Sequence, residues 1–198
     1  MALSVGTQAP DFELTTLGEN GPEVVKLSDK TGEENVLLLF VPMAFTGVCT
    51  TEFCSVTSEL SEYSDLNATV YGISGDNPFA QKNWAEKEGI GLTLLSDYEH
   101  TAAVAYDVAY DSFLPAKNLF MGGVPKRSAF IMDRISPGLF VSPVSKFGPY
   151  LIQKGVNPPL EPKRFVLYRF NASQGKAEML PEEARHLLRA MSLNRKLT

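Results

Sequence analysis

The chain of 198 residues is long enough to form one domain with a substantial hydrophobic core. Its hydrophobic content of 44% and charged content of 21% are ordinary for a globular protein. The net charge of −5, without a cluster of Lys and Arg, argues against a nucleic-acid partner. No apolar run approaches the roughly 18 residues that cross a membrane, so we expect no membrane partner either.

The cysteine count and the N-terminus indicate a reducing compartment. Two cysteines are too few for a disulfide framework in a chain of this size. The first residues show neither a basic segment nor a long apolar one, so no secretory signal is predicted. We therefore expect a cytoplasmic protein, in which a close pair of cysteines indicates redox or metal chemistry.

The hydrophobic pattern predicts strands that alternate with helices. Two short early strands are separated by a turn over residues 18–22, and a strongly apolar segment then reads as a buried central strand. The predicted strands cover residues 11–14, 23–27, 35–41, 69–74, 92–95 and 128–132. The predicted helices cover residues 50–66, the segment from Asn77–Pro78 to Gly89, and residues 100–106. This alternation predicts an α/β domain with a largely parallel central sheet.

The segment from residue 136 to 163 breaks the alternation, because it holds six of the thirteen prolines. We expect it to be an irregular insertion, either packed on the surface or acting as a functional lid. After it, residues 164–198 predict a hairpin and a C-terminal helix that begins at Pro181. No repeat or second domain is visible, so residues 1–198 are predicted to form a single domain.

Cys49 stands at the turn from the buried strand to the next predicted helix. The N–H groups of a helix's first turn lack partners within the helix, and the helix dipole favours negative charge there. A thiolate is therefore stabilised at this position, which raises the reactivity of a thiol that is otherwise mostly protonated. Apolar residues follow at helical spacing, so Cys49 is expected on the inward face, and the stripe contains Cys49, Phe53, Val56, Leu60 and Tyr63.

Three neighbours of Cys49 each have an ordinary explanation when considered alone. Pro42 ends the strand, although its ring could also shield a thiol pocket. Thr46 could cap the helix or hydrogen-bond the thiolate and its substrate. Glu52 is an acid in the expected first turn, where the dipole favours it.

Together these residues form the pattern Pro-x-x-x-Thr-x-x-Cys with a Glu three residues further on, which resembles the active-site signature of the peroxiredoxins. The resemblance also covers residues 6–12, residues 94–97 and residues 127–133, and in all it spans roughly residues 3–134. The run of residues 44–49 looks most like the alkyl hydroperoxide reductase E type. The Cys-x-x-x-x-Cys spacing of Cys49 and Cys54 looks like the Q type (bacterioferritin-comigratory protein), and the choice between the two stays open.

The resemblance implies a thioredoxin-like fold with a central mixed sheet, and a thiol peroxidase without a metal, haem or flavin cofactor. In this interpretation the Cys49 thiolate attacks a peroxide and becomes a sulfenic acid. Thr46 would hydrogen-bond the peroxide oxygens, and Pro42 would shield the site. Arg127 matches the family arginine that approaches the cysteine from a neighbouring strand, where it would stabilise the negative charge. The implied partners are a peroxide and an external thiol reductant, either a thioredoxin-like protein or a small thiol, and a homodimer is one option for the assembly.

Two roles are possible for Cys54, a resolving one and a structural one. In a helix, residues five apart have Cα atoms roughly 8–9 Å apart, whereas a disulfide requires less than about 7 Å. If Cys54 resolves the sulfenic acid, the first turns of the helix must therefore unwind. Otherwise Cys54 is a small core residue and an external thiol resolves Cys49.

Three other functions compete with this interpretation. A thioredoxin-like disulfide oxidoreductase would need Cys-x-x-Cys, which is absent. A metal-binding module, such as a copper-delivery protein, would need further soft ligands, and the only histidines are His100 and His186. We expect His100 at a helix start, as a capped or surface residue, and His186 in solvent on the last helix. A sensor that uses the oxidation of Cys49 as a signal is the third possibility.

Overall fold

The computed structural model describes Leu3 and residues 7–65, 67–132, 140–141 and 143–144. The predicted hairpin and C-terminal helix over residues 164–198, together with His186, lie outside these residues. Within the Pro-rich segment, which we expected to be irregular, the described residues form two short strands, Phe140–Val141 and Pro143–Val144. The second of these pairs only at the edge of the main sheet, where a proline is tolerated in a strand.

Nine strands and four helices make up the described part of the chain. The strands are β1 Thr7–Gln8, β2 Glu13–Gly18, β3 Gly21–Lys26, β4 Asn35–Phe40, β5 Ala68–Ser74, β6 Thr93–Ser96, β7 Ser128–Met132, β8 Phe140–Val141 and β9 Pro143–Val144. The helices are α1 Gly47–Thr57, α2 Leu60–Asp65, α3 Pro78–Glu88 and α4 Thr101–Ala105, with short 3-10 helices at Leu27–Lys30 and Pro115–Lys117.

Seven strands form one mixed sheet in the order β3-β2-β6-β5-β4-β7-β9, and β1 pairs separately with β8. Only the central strands β4, β5 and β6 are mutually parallel, whereas β2, β3, β7 and β9 pair antiparallel. The prediction of a largely parallel sheet is therefore wrong outside the centre, and the mixed sheet that the resemblance implied is confirmed. The first hairpin is also longer than predicted, since β2 continues to Gly18 and β3 begins at Gly21.

Strand β4 is the centre of the core, and all six of its residues are buried. Because side chains alternate along a strand, β4 contributes to a hydrophobic cluster on each face of the sheet. Leu37 and Leu39 pack with Phe53 of α1 and Trp84 of α3 on one face. On the opposite face, the cluster includes Val36, Leu38, Phe40, Ala102, Ala103 and Tyr106. The sheet is thus covered by helices on both sides, and α1 lies directly against its centre.

The single helix predicted over residues 50–66 is two helices, and the first begins earlier than expected. Thr46 has an extended backbone with φ −94° and ψ 139°, and its carbonyl accepts the N–H of Thr50, so α1 starts at Gly47. The helix ends at Thr57, where the Thr57 and Ser58 hydroxyls donate to the carbonyls of Phe53 and Ser55. Such side-chain bonds to the backbone compete with helix continuation, and α2 begins only at Leu60.

Helix α3 has the predicted boundaries. The Asn77 side chain accepts a hydrogen bond from the Ala80 N–H at 2.9 Å, and Pro78 occupies the first helical position. Gly89 ends the helix in the left-handed conformation with φ 70°, which glycine adopts at little cost. Helix α3 therefore has defined ends beside α1, and several contacts join the two helices.

Candidate active site

Cys49 is the third residue of α1 and lies in its first turn, where the backbone N–H groups lack acceptors within the helix. Its side chain is only 2% exposed and belongs to the core cluster that includes Phe53 and Val56. The predicted inward face of this helix is thereby confirmed. Tyr63, at the end of the predicted stripe, is also fully buried, although it belongs to α2.

Arg127 connects the Cys49 thiol to a buried carboxylate. Its Nη2 donates to the Cys49 Sγ over 3.0 Å, and its Nη1 forms an ion pair with the Glu52 carboxylate. The Arg127 side chain is 11% exposed, so water screens these contacts little. A planar guanidinium can serve two acceptors at once in a fixed geometry, which a lysine cannot do.

The pairing of β7 with β4 explains how Arg127 reaches this position from a distant part of the sequence. Ser128 is the first residue of β7 and pairs with Phe40, the last residue of β4. Arg127 precedes Ser128, so it lies beside the point at which β4 leads into the loop before α1. The arginine that immediately precedes the adjacent strand therefore reaches the first turn of α1.

Glu52 differs from its sequence-based interpretation. It was expected in the first turn as an acid favoured by the helix dipole, but α1 begins at Gly47 and Glu52 is its sixth residue. It lies one turn beyond Cys49 on the same helix face, and its side chain is 3% exposed. Its position is explained by the ion pair with Arg127 rather than by the dipole.

The loop between β4 and α1 contains the other two predicted site residues. Pro42 is half-buried directly after the buried Val41, at the point where the chain leaves the sheet. Thr46 occupies the N-cap position, but its hydroxyl donates to the Met43 carbonyl over 2.9 Å and makes no capping bond to the helix. The side-chain cap that we considered as the ordinary explanation of Thr46 is therefore not formed.

Asp76 fixes this loop, and the sequence reasoning missed it. Its Oδ2 accepts the Ala44 N–H over 2.8 Å and the Ser74 hydroxyl over 2.8 Å. Ser74 ends β5, which runs parallel to β4, so the two strands end at the same edge of the sheet. The available signal was a carboxylate two residues after a buried parallel strand, since polar groups at the carboxyl ends of neighbouring strands meet in space.

Cys54 remains inside the intact helix α1, and both cysteines are free thiols. Its Sγ donates to the Glu88 carbonyl at the end of α3 over 3.4 Å. Burial, followed by the nearby Glu88 carboxylate, raises the pKa of the Cys54 thiol. In this conformation the raised pKa favours the protonated form of the Cys54 thiol, which is bonded to α3 and lies away from the first turn of α1.

A metal site at the cysteines would require further soft ligands beside them. In the part of the chain that the structure describes, no group of three or more His, Cys, Asp or Glu side chains is arranged to hold a metal ion. His100 stands at the N-cap position of α4, as predicted, but makes no side-chain capping bond there. Among these residues there is also no helix that is long and apolar enough to cross a membrane.

The fold and this site together define a thiol-dependent oxidoreductase on a mixed sheet covered by helices. A family model described as the AhpC/TSA family matches residues 5–135, and the chain belongs to this family. The matched range includes Cys49 and Arg127, whose guanidinium contacts the Cys49 thiol.

Named relatives and a solved structure agree with this assignment. The chain is 36% identical over 132 residues to alkyl hydroperoxide reductase E of Mycobacterium tuberculosis, covering 67% of this chain and 80% of that protein. It is also 36% identical over 137 residues to peroxiredoxin Bcp of Bacillus subtilis, covering 68% and 81%. A crystal structure of peroxidoxin BcpB from M. tuberculosis superposes with a TM-score of 0.61 at 29% identity, covering 72% and 86%.

These similarities decide between the functions left open by the sequence. The chain is a thiol-dependent peroxidase with a thioredoxin-like fold. The copper-delivery and sensor alternatives are not favoured. Both the E type and the Bcp type are among its relatives, at the same identity of 36%.

Proposed function

We propose that Cys49 is the thiol that reduces the peroxide. Its thiolate would attack one oxygen of the peroxide, the O–O bond would break, and the departing hydroxide or alkoxide would take up a proton. Cys49 would become a sulfenic acid and the peroxide would become water or an alcohol. The observation that carries this proposal is the 3.0 Å contact between Arg127 Nη2 and the Cys49 Sγ in the first turn of α1.

The neighbours of Cys49 have separate parts in this proposal. Arg127 would stabilise the thiolate and the charge that develops on the departing oxygen. Glu52 would hold the guanidinium in place through their buried ion pair. Thr46 would direct its hydroxyl oxygen to the peroxide, and Pro42 would shield the site and limit over-oxidation. These assignments combine the positions of the side chains with the family resemblance.

We further propose that Cys54 regenerates Cys49. The Cys54 thiolate would attack the Cys49 sulfur, a disulfide would form, and the S–O bond would break with release of hydroxide that becomes water. Helical geometry places the two Cα atoms roughly 8–9 Å apart, beyond the reach of a disulfide. The turns between them would therefore unwind before this step. The alternative is direct attack by an external thiol on the sulfenic acid.

The remaining assignments concern substrates and partners. Relatives named alkyl hydroperoxide reductase E favour organic hydroperoxides alongside hydrogen peroxide as substrates. An external thiol, either a thioredoxin-like protein or a small thiol, would reduce the enzyme in a cytoplasmic, reducing compartment. A homodimer is the simplest assembly that we propose.

One experiment tests the cysteine assignments. The reduced protein is treated with one equivalent of peroxide and its intact mass is measured, for the wild type and for Cys49→Ser and Cys54→Ser. We expect a loss of two hydrogens in the wild type, one added oxygen in Cys54→Ser, and no reaction in Cys49→Ser. Peroxide consumption that survives in Cys49→Ser would disprove the role of Cys49. An added oxygen without a disulfide in the wild type would instead assign the second step to an external thiol.

A further inference from the structure

Three hydrogen bonds connect one face of α1 to α3 and the residues that follow it. The Trp84 indole N–H donates to the Thr50 hydroxyl over 3.0 Å, and the Cys54 thiol donates to the Glu88 carbonyl over 3.4 Å. The Gly91 N–H donates to the Thr57 hydroxyl over 2.9 Å. We call these three bonds the α1–α3 seam. Its members recur at intervals of four and three residues on α1 because that spacing defines one helix face.

Trp84 makes the first bond of the seam hard to lose. The indole is fully buried, and its ring centroid lies 5.3 Å from that of Phe53 and 6.3 Å from that of Phe45. An indole N–H can only donate, so the buried group would be left unsatisfied if Thr50 moved away. Leaving a buried donor without an acceptor is costly. The first turns of α1 are thus tied to the core through the Thr50 hydroxyl.

Formation of a Cys49–Cys54 disulfide would require part of the seam to break. Thr50 is between the two cysteines, and Cys54 provides the middle bond of the seam itself. Unwinding residues 49–54 breaks the first two bonds, whereas the bond of Thr57 lies beyond Cys54 and can remain. In both the first and the third bond an N–H donates to a threonine hydroxyl of α1, but only the first of these hydroxyls lies between the two cysteines.

We propose that the hydrogen bond from Trp84 to Thr50 is a latch that sets the rate at which oxidised Cys49 reaches Cys54. This inference rests on the proposed function, since it needs Cys54 as the resolving thiol. While the latch is closed, Cys49 stays beside Arg127 and can react with peroxide. While it stays closed after oxidation, the sulfenic acid persists and is exposed to a second peroxide, which would oxidise it to the sulfinic acid. Thr50 and Trp84 are thus positioning residues that divide the sulfenic acid between repair and further oxidation.

The test uses two variants that remove the same bond from opposite sides. Thr50→Val removes the hydroxyl at nearly constant volume and keeps Trp84, the only tryptophan of the chain, as a fluorescent reporter. Trp84→Phe removes the donor and keeps an aromatic ring. Thr57→Val is the matched control, because it makes the same substitution on α1 and removes the third bond of the seam, together with the bond from Thr57 to the Phe53 carbonyl. The double variant Thr50→Val/Trp84→Phe measures whether the two residues act through one bond.

Rapid quenching and intact-mass measurement separate the two steps after one equivalent of peroxide. We expect disulfide formation to be about twofold to tenfold faster in Thr50→Val and Trp84→Phe, the range set by the loss of one hydrogen bond. Oxygen addition should change by less than about twofold, because the bond from Arg127 to the Cys49 sulfur is retained. The double variant should be no faster than the faster single variant, and Thr57→Val should change the rate by less than about twofold. At excess peroxide, the yield of sulfinic acid should fall in the two latch variants.

Four results would overturn the latch, and they distinguish its failure from a failure of the proposed function. Unchanged disulfide formation in both Thr50→Val and Trp84→Phe, with normal oxygen addition, would refute the latch and leave the proposed function intact. Equal acceleration by Thr57→Val would show that any loosening of α1 has this effect, which also refutes it. A wild type that adds oxygen but never forms the disulfide would refute Cys54 as the resolving thiol, and the latch with it. A wild type that adds no oxygen at Cys49 would refute the proposed function itself.

Discussion

Replacing Arg127 with methionine should destabilise the protein by leaving the Glu52 carboxylate buried without its ion-pair partner. The two side chains are 11% and 3% exposed, so solvent replaces little of the lost interaction. Removing one member of such a buried pair typically costs about 3–5 kcal/mol in the free energy of unfolding. The double variant Arg127→Met/Glu52→Met removes both charges and keeps a comparable apolar volume. It should recover most of this loss, because replacing a whole buried pair by apolar residues is often nearly neutral.

The reaction with peroxide should respond differently from stability. Both variants lack the guanidinium that contacts the Cys49 sulfur over 3.0 Å. A hydrogen bond to a charged group contributes about 1.5–3 kcal/mol, so the rate constant for sulfenic acid formation should fall by roughly tenfold to a hundredfold in each. Stability is measured by urea unfolding followed through the fluorescence of Trp84, and the rate by stopped-flow mixing with peroxide.

The comparison between the two variants separates structure from chemistry. Arg127→Met should be unstable and slow, whereas the double variant should be stable and slow. A double variant that regained both its stability and the wild-type rate would refute the reasoning. In that case Arg127 would serve only to neutralise Glu52, and the contact with Cys49 would have no chemical consequence.

Three further changes test other features of the structure. Gly72→Ala should lower the free energy of unfolding, measured by urea denaturation, by about 1–3 kcal/mol. The reason is that the added Cβ would lie 2.6 Å from the Phe53 ring. An unchanged free energy of unfolding would contradict this close packing. Asn77→Ala should lower the free energy of unfolding by about 1 kcal/mol, because the side-chain cap of α3 is lost. Asn77→Ser keeps a capping hydroxyl and is the control, so an equal loss in both variants would contradict the role of the cap. In a Cys49→Ser background, alkylation of Cys54 should have its pH midpoint above that of the urea-unfolded chain, because the raised pKa keeps the folded thiol protonated as pH rises. A folded midpoint at or below the unfolded one would contradict this.

The main elements could be predicted from the sequence because their patterns are local. The apolar run of β4 and the cap, proline and glycine of α3 each depend on neighbours within a few positions. The start of α1 was misplaced by three residues because Gly47 is a poor helix former and was assigned to the preceding turn. That error also gave Glu52 the wrong explanation, since it was placed in the first turn instead of at the buried ion pair.

The contacts that organise the site are long-range, so the sequence alone could not give them. Asp76 is 32 residues from Ala44, and Trp84 is 34 residues from Thr50. Each pair is formed only because β5 and α3 return to the edge where β4 ends. Arg127, 78 residues from Cys49, was identified only through the family resemblance. The pairing of β7 with β4 supplies the physical reason for its position.

Helix α1 has two opposed tasks in the proposed cycle, and oxidation itself changes the balance between them. Before the reaction, a thiolate at Cys49 would hold the first turn through a charge-assisted bond to Arg127, which contributes about 1.5–3 kcal/mol. A sulfenic acid is neutral, so the attraction between opposite charges would be lost and the bond from the guanidinium would weaken. Oxidation would therefore reduce the cost of unwinding on the side of Arg127. The bond between Trp84 and Thr50 is not altered by that chemistry, so it would continue to restrain the same turn after oxidation. Its removal should therefore affect the second step and spare the first.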